Sequence, residues 1–279
     1  MQLWISHLTR YRYSSHVSEA HMEVRLRPAN VPGQRVNTYH LDVQPQTTVR
    51  SYVDGFGNHV QYFNLFAPHA ALEVVSRVQV ETGQPPGAEP SAAWPLDILP
   101  TDLLLFRAPV LDAAAVRRLA RRARLRDPGS EEQVLEALDR TVDAIADALT
   151  YTTDVTTVST DVAEVLSLGR GVCQDFAHVF IAVSRAIGVP CRYVSGYVAE
   201  GGGEPFIGSS HAWAEAWVPE RGWMAYDPTH PGLAPEHYVR LAVGRDYRDA
   251  APTRGVFVGS AESVMEARVE IRTADAGTA

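Results

Sequence analysis

The sequence contains no lysine, since all 25 of its Lys and Arg positions are arginine. That absence excludes Schiff-base and other lysine-dependent catalysis, and any phosphate loop built on a Walker-type lysine. Cysteine is nearly as scarce. Cys173 and Cys191 are too few for a disulfide framework and are expected as reduced thiols. No apolar run approaches the ~18 residues of a membrane span. The opening Met1-Gln2-Leu3-Trp4-Ile5-Ser6-His7 also lacks the basic-then-apolar layout of a secretory signal. A cytoplasmic protein with no membrane partner is therefore expected. Excess positive charge is missing too: a formal net charge of −8 and a pI near 5.7 argue against a nucleic-acid partner.

What is present is an ordinary globular composition, 46% hydrophobic over 279 residues, with room for about two domains. Residues 1–83 read as an all-β, sandwich-like domain, because short alternating runs such as Met22-Glu23-Val24-Arg25-Leu26-Arg27 are separated by turn clusters. Asp54-Gly55-Phe56-Gly57-Asn58 lies between two such runs as a hairpin turn. Residues 84–100 hold prolines 85, 86, 90, 95 and 100 and read as a linker. From 101 to 279 a second domain is expected. It begins with a basic helix over Ala113–Arg126 and an acidic one over Glu131–Thr150, joined by a turn at Asp127-Pro128-Gly129-Ser130, the two helices complementing each other or facing water.

The chemistry concentrates in two stretches. In Gly169-Arg170-Gly171-Val172-Cys173-Gln174-Asp175-Phe176-Ala177-His178 a helix is predicted to start at Cys173. At ~100° per residue Phe176, Val179, Phe180, Val183 and Ile187 form an apolar arc with Cys173 at its rim. Free amides and the dipole at a helix N-terminus favour a thiolate and can receive an oxyanion. The competing reading is a small buried hydrophobe. His178 lies ~140° round the helix from Cys173 and is assigned a structural role, as is Cys191 in its apolar strand.

The second stretch, His211-Ala212-Trp213-Ala214-Glu215-Ala216-Trp217-Val218, alternates with period two and offers a small-residue face to a helix. If the chain turns so that Val218 meets Gly222, Asp227 falls opposite Trp213 and diagonal to His211, within side-chain reach. A register one residue different would put them on opposite faces. Cys173, His211 and Asp227 then have the types needed for nucleophile, base and orienting carboxylate. A metal reading of the same three residues is weaker, because no close ligand pair is present. No metal and no cofactor are expected.

These stretches, with Ile187-Gly188-Val189-Pro190-Cys191-Arg192-Tyr193-Val194-Ser195-Gly196-Tyr197 and Asp227-Pro228-Thr229, resemble the transglutaminase-like superfamily of cysteine enzymes. Order and spacing agree as well, with His211 following Cys173 by 38 positions and Asp227 following His211 by 16. The bacterial branch also carries an N-terminal β-module like residues 1–83 and a late segment like Val243-Gly244-Arg245-Asp246-Tyr247. The resemblance implies an α+β, papain-like catalytic domain behind the β-sandwich-like one, with Cys173 as nucleophile, His211 as base and acid, and Asp227 as orienter. His230 departs from the asparagine often found there. Tyr151 is a candidate oxyanion donor, with helix-end packing as the alternative. The implied activity is acyl transfer on peptide or glutamine amides of a peptide or protein substrate. Hydrolysis is favoured because no calcium loop is recognisable. Cross-linking of glutamine to amines, or peptide binding without catalysis, are the alternatives.

Overall fold

The computed structural model describes residues 1–83, 100–123, 130–199, 206–208 and 210–273. The expected linker, apart from Pro100, and the expected turn at 127–129 lie outside them. The alternation of the first eighty residues becomes six strands: β1 (Gln2–Val17), β2 (Glu19–Arg27), β3 (Gln34–Gln44), β4 (Arg50–Val53), β5 (His59–Leu65) and β6 (His69–Thr82). Period two is plain in β6, where Leu72, Val74, Ser76, Val78 and Val80 are buried and the residues alternating with them are not, as expected of a strand with one face on a core.

After a basic helix α1 (Ala114–Ala123) and an acidic α2 (Glu131–Ala148) come β7 (Thr150–Tyr151), α3 (Val162–Leu168), β8 (Arg170–Gly171) and α4 (Cys173–Ala186). Then follow β9 (Cys191–Val198), β10 (Phe206–Gly208), β11 (His211–Val218), β12 (Gly222–Tyr226) and β13 (Tyr238–Gly244). A short α5 (Tyr247–Ala250) leads into β14 (Thr253–Val258) and β15 (Ser263–Thr273). Arg122 pairs with Asp147 at 2.6 Å between α1 and α2, while Arg117 and Arg140 pair locally with Asp112 and Glu136.

The strands form a sheet β10-β15-β1-β6-β3, a second sheet β14-β2-β5-β4, and a third β12-β11-β9-β13. The first two enclose a core that includes Leu3, Leu26, Phe63 and Val74. Here the expected boundary at 101–279 needs correction: β15 pairs with β1 from Leu3 to Tyr13 and β14 pairs with β2. Without these late strands β1 and β2 would each present a long row of unpaired amides. Val269 and Ile271 are buried in the same N-terminal core.

Helix α4 is almost wholly buried, its polar Gln174, Asp175, His178, Ser184 and Arg185 included, which requires partners on every side. The small face of β11 supplies one of them: Ala212, Ala214, Ala216 and Val218 share a core with Val179, Phe180 and Val183 of the helix. Side chains this short let the helix lie close to the sheet. On the sheet's edge, β13 gains partners from the N-terminal region. The Asn58 amide donates to the Val243 carbonyl at 2.8 Å and accepts from its N–H at 2.8 Å. Gln34 does the same for Arg240, at 2.9 and 2.7 Å, beside the bulge between Arg240 and Ala242.

Gly196 of β9 lies directly opposite His211, and a Cβ there would run into the Val239 carbonyl and the Trp213 ring. The carbonyl belongs to a neighbouring strand and cannot give way. Gly196→Ala is therefore expected to destabilise the protein by about 1–3 kcal/mol, the usual cost of overpacking. Thermal or denaturant unfolding measures it, and a stability equal to wild type would contradict this packing.

Candidate functional site

Three local devices position the start of α4. Gly169 takes a left-handed conformation, φ 66°, and ends α3 with its N–H on the Val165 carbonyl. Parallel pairing of Arg170-Gly171 with Thr150-Tyr151 then brings Tyr151 alongside Gly171. Asp175, at the third helical position, accepts the Val172 N–H at 2.8 Å and the Thr156 hydroxyl at 2.6 Å. Its carboxylate thus satisfies an amide that the first helical turn leaves without a partner. Any side chain at Gly171 would collide with this carboxylate. Burial raises the Asp175 carboxyl above its usual range, against the two hydrogen bonds.

Cys173 is the first residue of α4 and His211 the first of β11. The β11–β12 hairpin has the register that pairs Val218 with Gly222 and Ala214 with Tyr226, closed by Glu220 and Gly222 at positive φ. Continued by one step, it brings Asp227 opposite Trp213. The His211 Nε2 meets Asp227 Oδ2 at 2.7 Å, and its ring lies over Trp213, centroids 6.2 Å apart. Because Nε2 is engaged by the carboxylate, Nδ1 is the ring nitrogen left for Cys173.

Asp227 is held from several directions. Its Oδ1 accepts the N–H and the hydroxyl of Thr229 at 2.9 and 2.6 Å. Its Oδ2 also accepts the Tyr238 hydroxyl at 3.0 Å and stands 3.3 Å from His230 Nδ1. The sequence assigns Thr229 no role beyond its place in Asp227-Pro228-Thr229, and assigns none to Tyr238. The Asp-x-Thr spacing is a local signal for the first, since a side chain two residues on can close such a turn. Tyr238 starts a distant strand and has no local signal.

The other candidates fall elsewhere. His178 is fully buried, accepts the Tyr247 N–H at Nε2 (3.1 Å) and is pushed down to about 3 by burial, which keeps it neutral. Burial pushes the Cys191 thiol up to about 12. Both occupy structural positions away from the His211–Asp227 pair. The half-exposed Tyr151 is next to Cys173, whose thiol and backbone N–H both interact with its phenol; burial and the neighbouring sulfur raise the phenol above its ordinary value.

An uncharacterised protein of Mycobacterium tuberculosis is 34% identical over 96% of this chain and 91% of its own length. Another from Mycobacterium leprae is 33% identical over 96% and 97%. The profile of the transglutaminase-like superfamily matches residues 120–228, and that of the bacterial transglutaminase-like N-terminal region matches 3–81. The chain belongs to the transglutaminase-like superfamily. A Cytophaga hutchinsonii structure, provisionally described as a cysteine protease, shares the fold, with TM-score 0.73, 22% identity, and coverage of 100% of this chain and 92% of the other. This agrees with a papain-like, transglutaminase-like domain joined to a β-rich N-terminal region. Over a shorter span, 29% of this chain and 14% of the relative, it is 40% identical to a protein-glutamine gamma-glutamyltransferase of Pseudomonas aeruginosa.

Within this transglutaminase-like site the charges are strongly biased. Burial alone would lower the His211 pKa, but hydrogen bonds to Asp227 and Cys173 outweigh it and raise it to about 9. Asp227 goes the other way: burial would raise it, yet the bond to His211 and those from Thr229 take it to about 2. A raised histidine stabilises the fold fully below its unfolded value of ~6.5 and loses that contribution as pH rises through about 9. A depressed carboxyl contributes above its unfolded value and loses it as pH falls toward about 2. Asp227→Asn should bring the His211 midpoint from about 9 down toward the free-imidazole value of ~6.5. Imidazole NMR across a pH series reads this, and an unmoved midpoint would contradict the pairing.

Proposed function

We propose that the protein is a cysteine-dependent acyl-transfer enzyme that acts on amide bonds of peptides or of glutamine side chains, with hydrolysis as its outcome. The observation that carries this reading is the meeting of three elements: Cys173 at the start of α4, His211 at the start of β11, and Asp227 just beyond β12 within 2.7 Å of that histidine. The Cys173 thiolate attacks the substrate carbonyl carbon and a C–S bond forms. His211 gives its proton to the departing nitrogen as the C–N bond breaks, leaving a thioester and free ammonia or amine. Water then attacks, its proton passes to His211, and the acid leaves as the thiol is restored. Asp227 holds the imidazole tautomer and favours its charged form. In this reading the Cys173 N–H at the helix start receives the oxyanion, with the neighbouring Tyr151 hydroxyl as the candidate second donor.

A second reading, transfer of the acyl group to an amine instead of water, is favoured by the partial likeness to the Pseudomonas aeruginosa gamma-glutamyltransferase. A mixture of glutamine peptides incubated with and without a primary amine, then weighed, separates the two. The first reading expects replacement of NH2 by OH, or backbone cleavage, to predominate even with amine present; predominance of amine adducts supports the second. Cys173→Ala should abolish either product, and Asp227→Asn should cost up to ~10⁴-fold, the loss seen for the analogous change in a serine triad. Turnover that survives in Cys173→Ala would refute both readings.

A further inference from the structure

We propose that His211, Asp227 and His230 form a zinc site, through which the metal reversibly shuts off the reaction described above. The inference rests on that reading for its consequence but not for the binding itself. One ligand atom from each of the three residues lies within 4.8 Å of the others. Zinc bonds to nitrogen and oxygen at about 2.0–2.2 Å, so neighbouring ligand atoms of a tetrahedral site stand roughly 3.3 Å apart. His230 Nδ1 and Asp227 Oδ2 are already 3.3 Å apart. His211 Nε2 and Asp227 Oδ2, at 2.7 Å, open by about half an ångström when an ion replaces the shared proton, which passes to solvent.

The surroundings suit a metal. The side chains of His211 and Asp227 are 11% and 5% exposed, while that of His230, at 30%, provides the entrance. The carboxylate is braced, because the Thr229 and Tyr238 hydroxyls both donate to it. Such supporting hydrogen bonds orient ligands and raise affinity. Asp227 and His230 also face a cavity of about 360 Å³ whose lining adds Asp139 and Asp143 but no arginine, a negative approach for a cation. Two imidazoles with one carboxylate select a borderline metal such as zinc over magnesium or calcium, which prefer all-oxygen sites. Zinc on His211 Nε2 displaces the Asp227 hydrogen bond, and a metal-bound ring cannot become the imidazolium that protonates the leaving nitrogen.

Zinc affinity of the metal-free protein, measured by competition with a chromogenic chelator, tests the site directly. His230→Asn and Asp227→Asn should each weaken it by about tenfold or more, whereas His16→Asn, at an exposed position in β1, should leave it unchanged. Circular dichroism checks that the variants are folded, and the two ligand variants test the site independently. In wild type zinc should inhibit turnover reversibly, with EDTA restoring it and magnesium having no effect. Wild-type affinity in both ligand variants overturns the site, because His230→Asn retains Cys173 and His211 and would then place the metal on that pair alone. A thiol inert toward alkylation in metal-free protein would count against the enzyme reading, not against zinc binding.

Discussion

The register of β11 between β9 and β12 is the constraint on which the site depends. A strand that slips by one residue turns every side chain to the other face. Such a slip would bring His211 and its neighbours out of place and leave Asp227 across the sheet from the imidazole. Several interactions hold the observed register. Arg192 of β9 stands opposite Glu215 of β11 and donates to its carboxylate from Nε at 2.8 Å, while Arg240 of β13 adds two longer bonds to the same group. Trp217 and Trp223 are paired directly across the hairpin, ring centroids 5.4 Å apart. The alanine face of β11 can meet α4 only when its other face carries these larger groups.

The same region shows how two buried carboxylates acquire different characters. Asp175 is raised by burial and serves the backbone at the start of α4. Asp227 is lowered because a histidine and a threonine answer its charge. One carboxylate secures the helix that presents Cys173, and the other sets the charge of His211. The N-terminal region has a structural part in this arrangement. Asn58 and Gln34 satisfy the backbone of β13, and β13 begins with Tyr238, which reaches Asp227.

Much of this was legible in local patterns. The glycines before Cys173, the apolar run after it and the period-two alternation from His211 each point to one element, whereas the register that brings Asp227 to His211 was open to a one-residue alternative in the sequence and is fixed by the pairing of Val218 with Gly222. What stayed hidden depends on contacts between distant segments. Nothing near Tyr238, Asn58 or Gln34 announces their partners, which lie 11, 185 and 206 positions away. The last two strands were missed for a related reason. Val264, Met265 and Glu266 are exposed and only Val269 and Ile271 are buried, so β15 has a weak alternation and owes its place to the open edge of β1.

In the proposed mechanism Cys173 and His211 act as a pair, and the rate of iodoacetamide alkylation near neutral pH, mapped by mass to each cysteine, is the decisive test. An unassisted thiol is only a few per cent ionised under those conditions. Wild type should be modified at Cys173 and not at the buried Cys191, and His211→Asn should slow the Cys173 reaction by about tenfold. Equal rates in the two proteins, or modification of Cys191 first, would contradict the pairing.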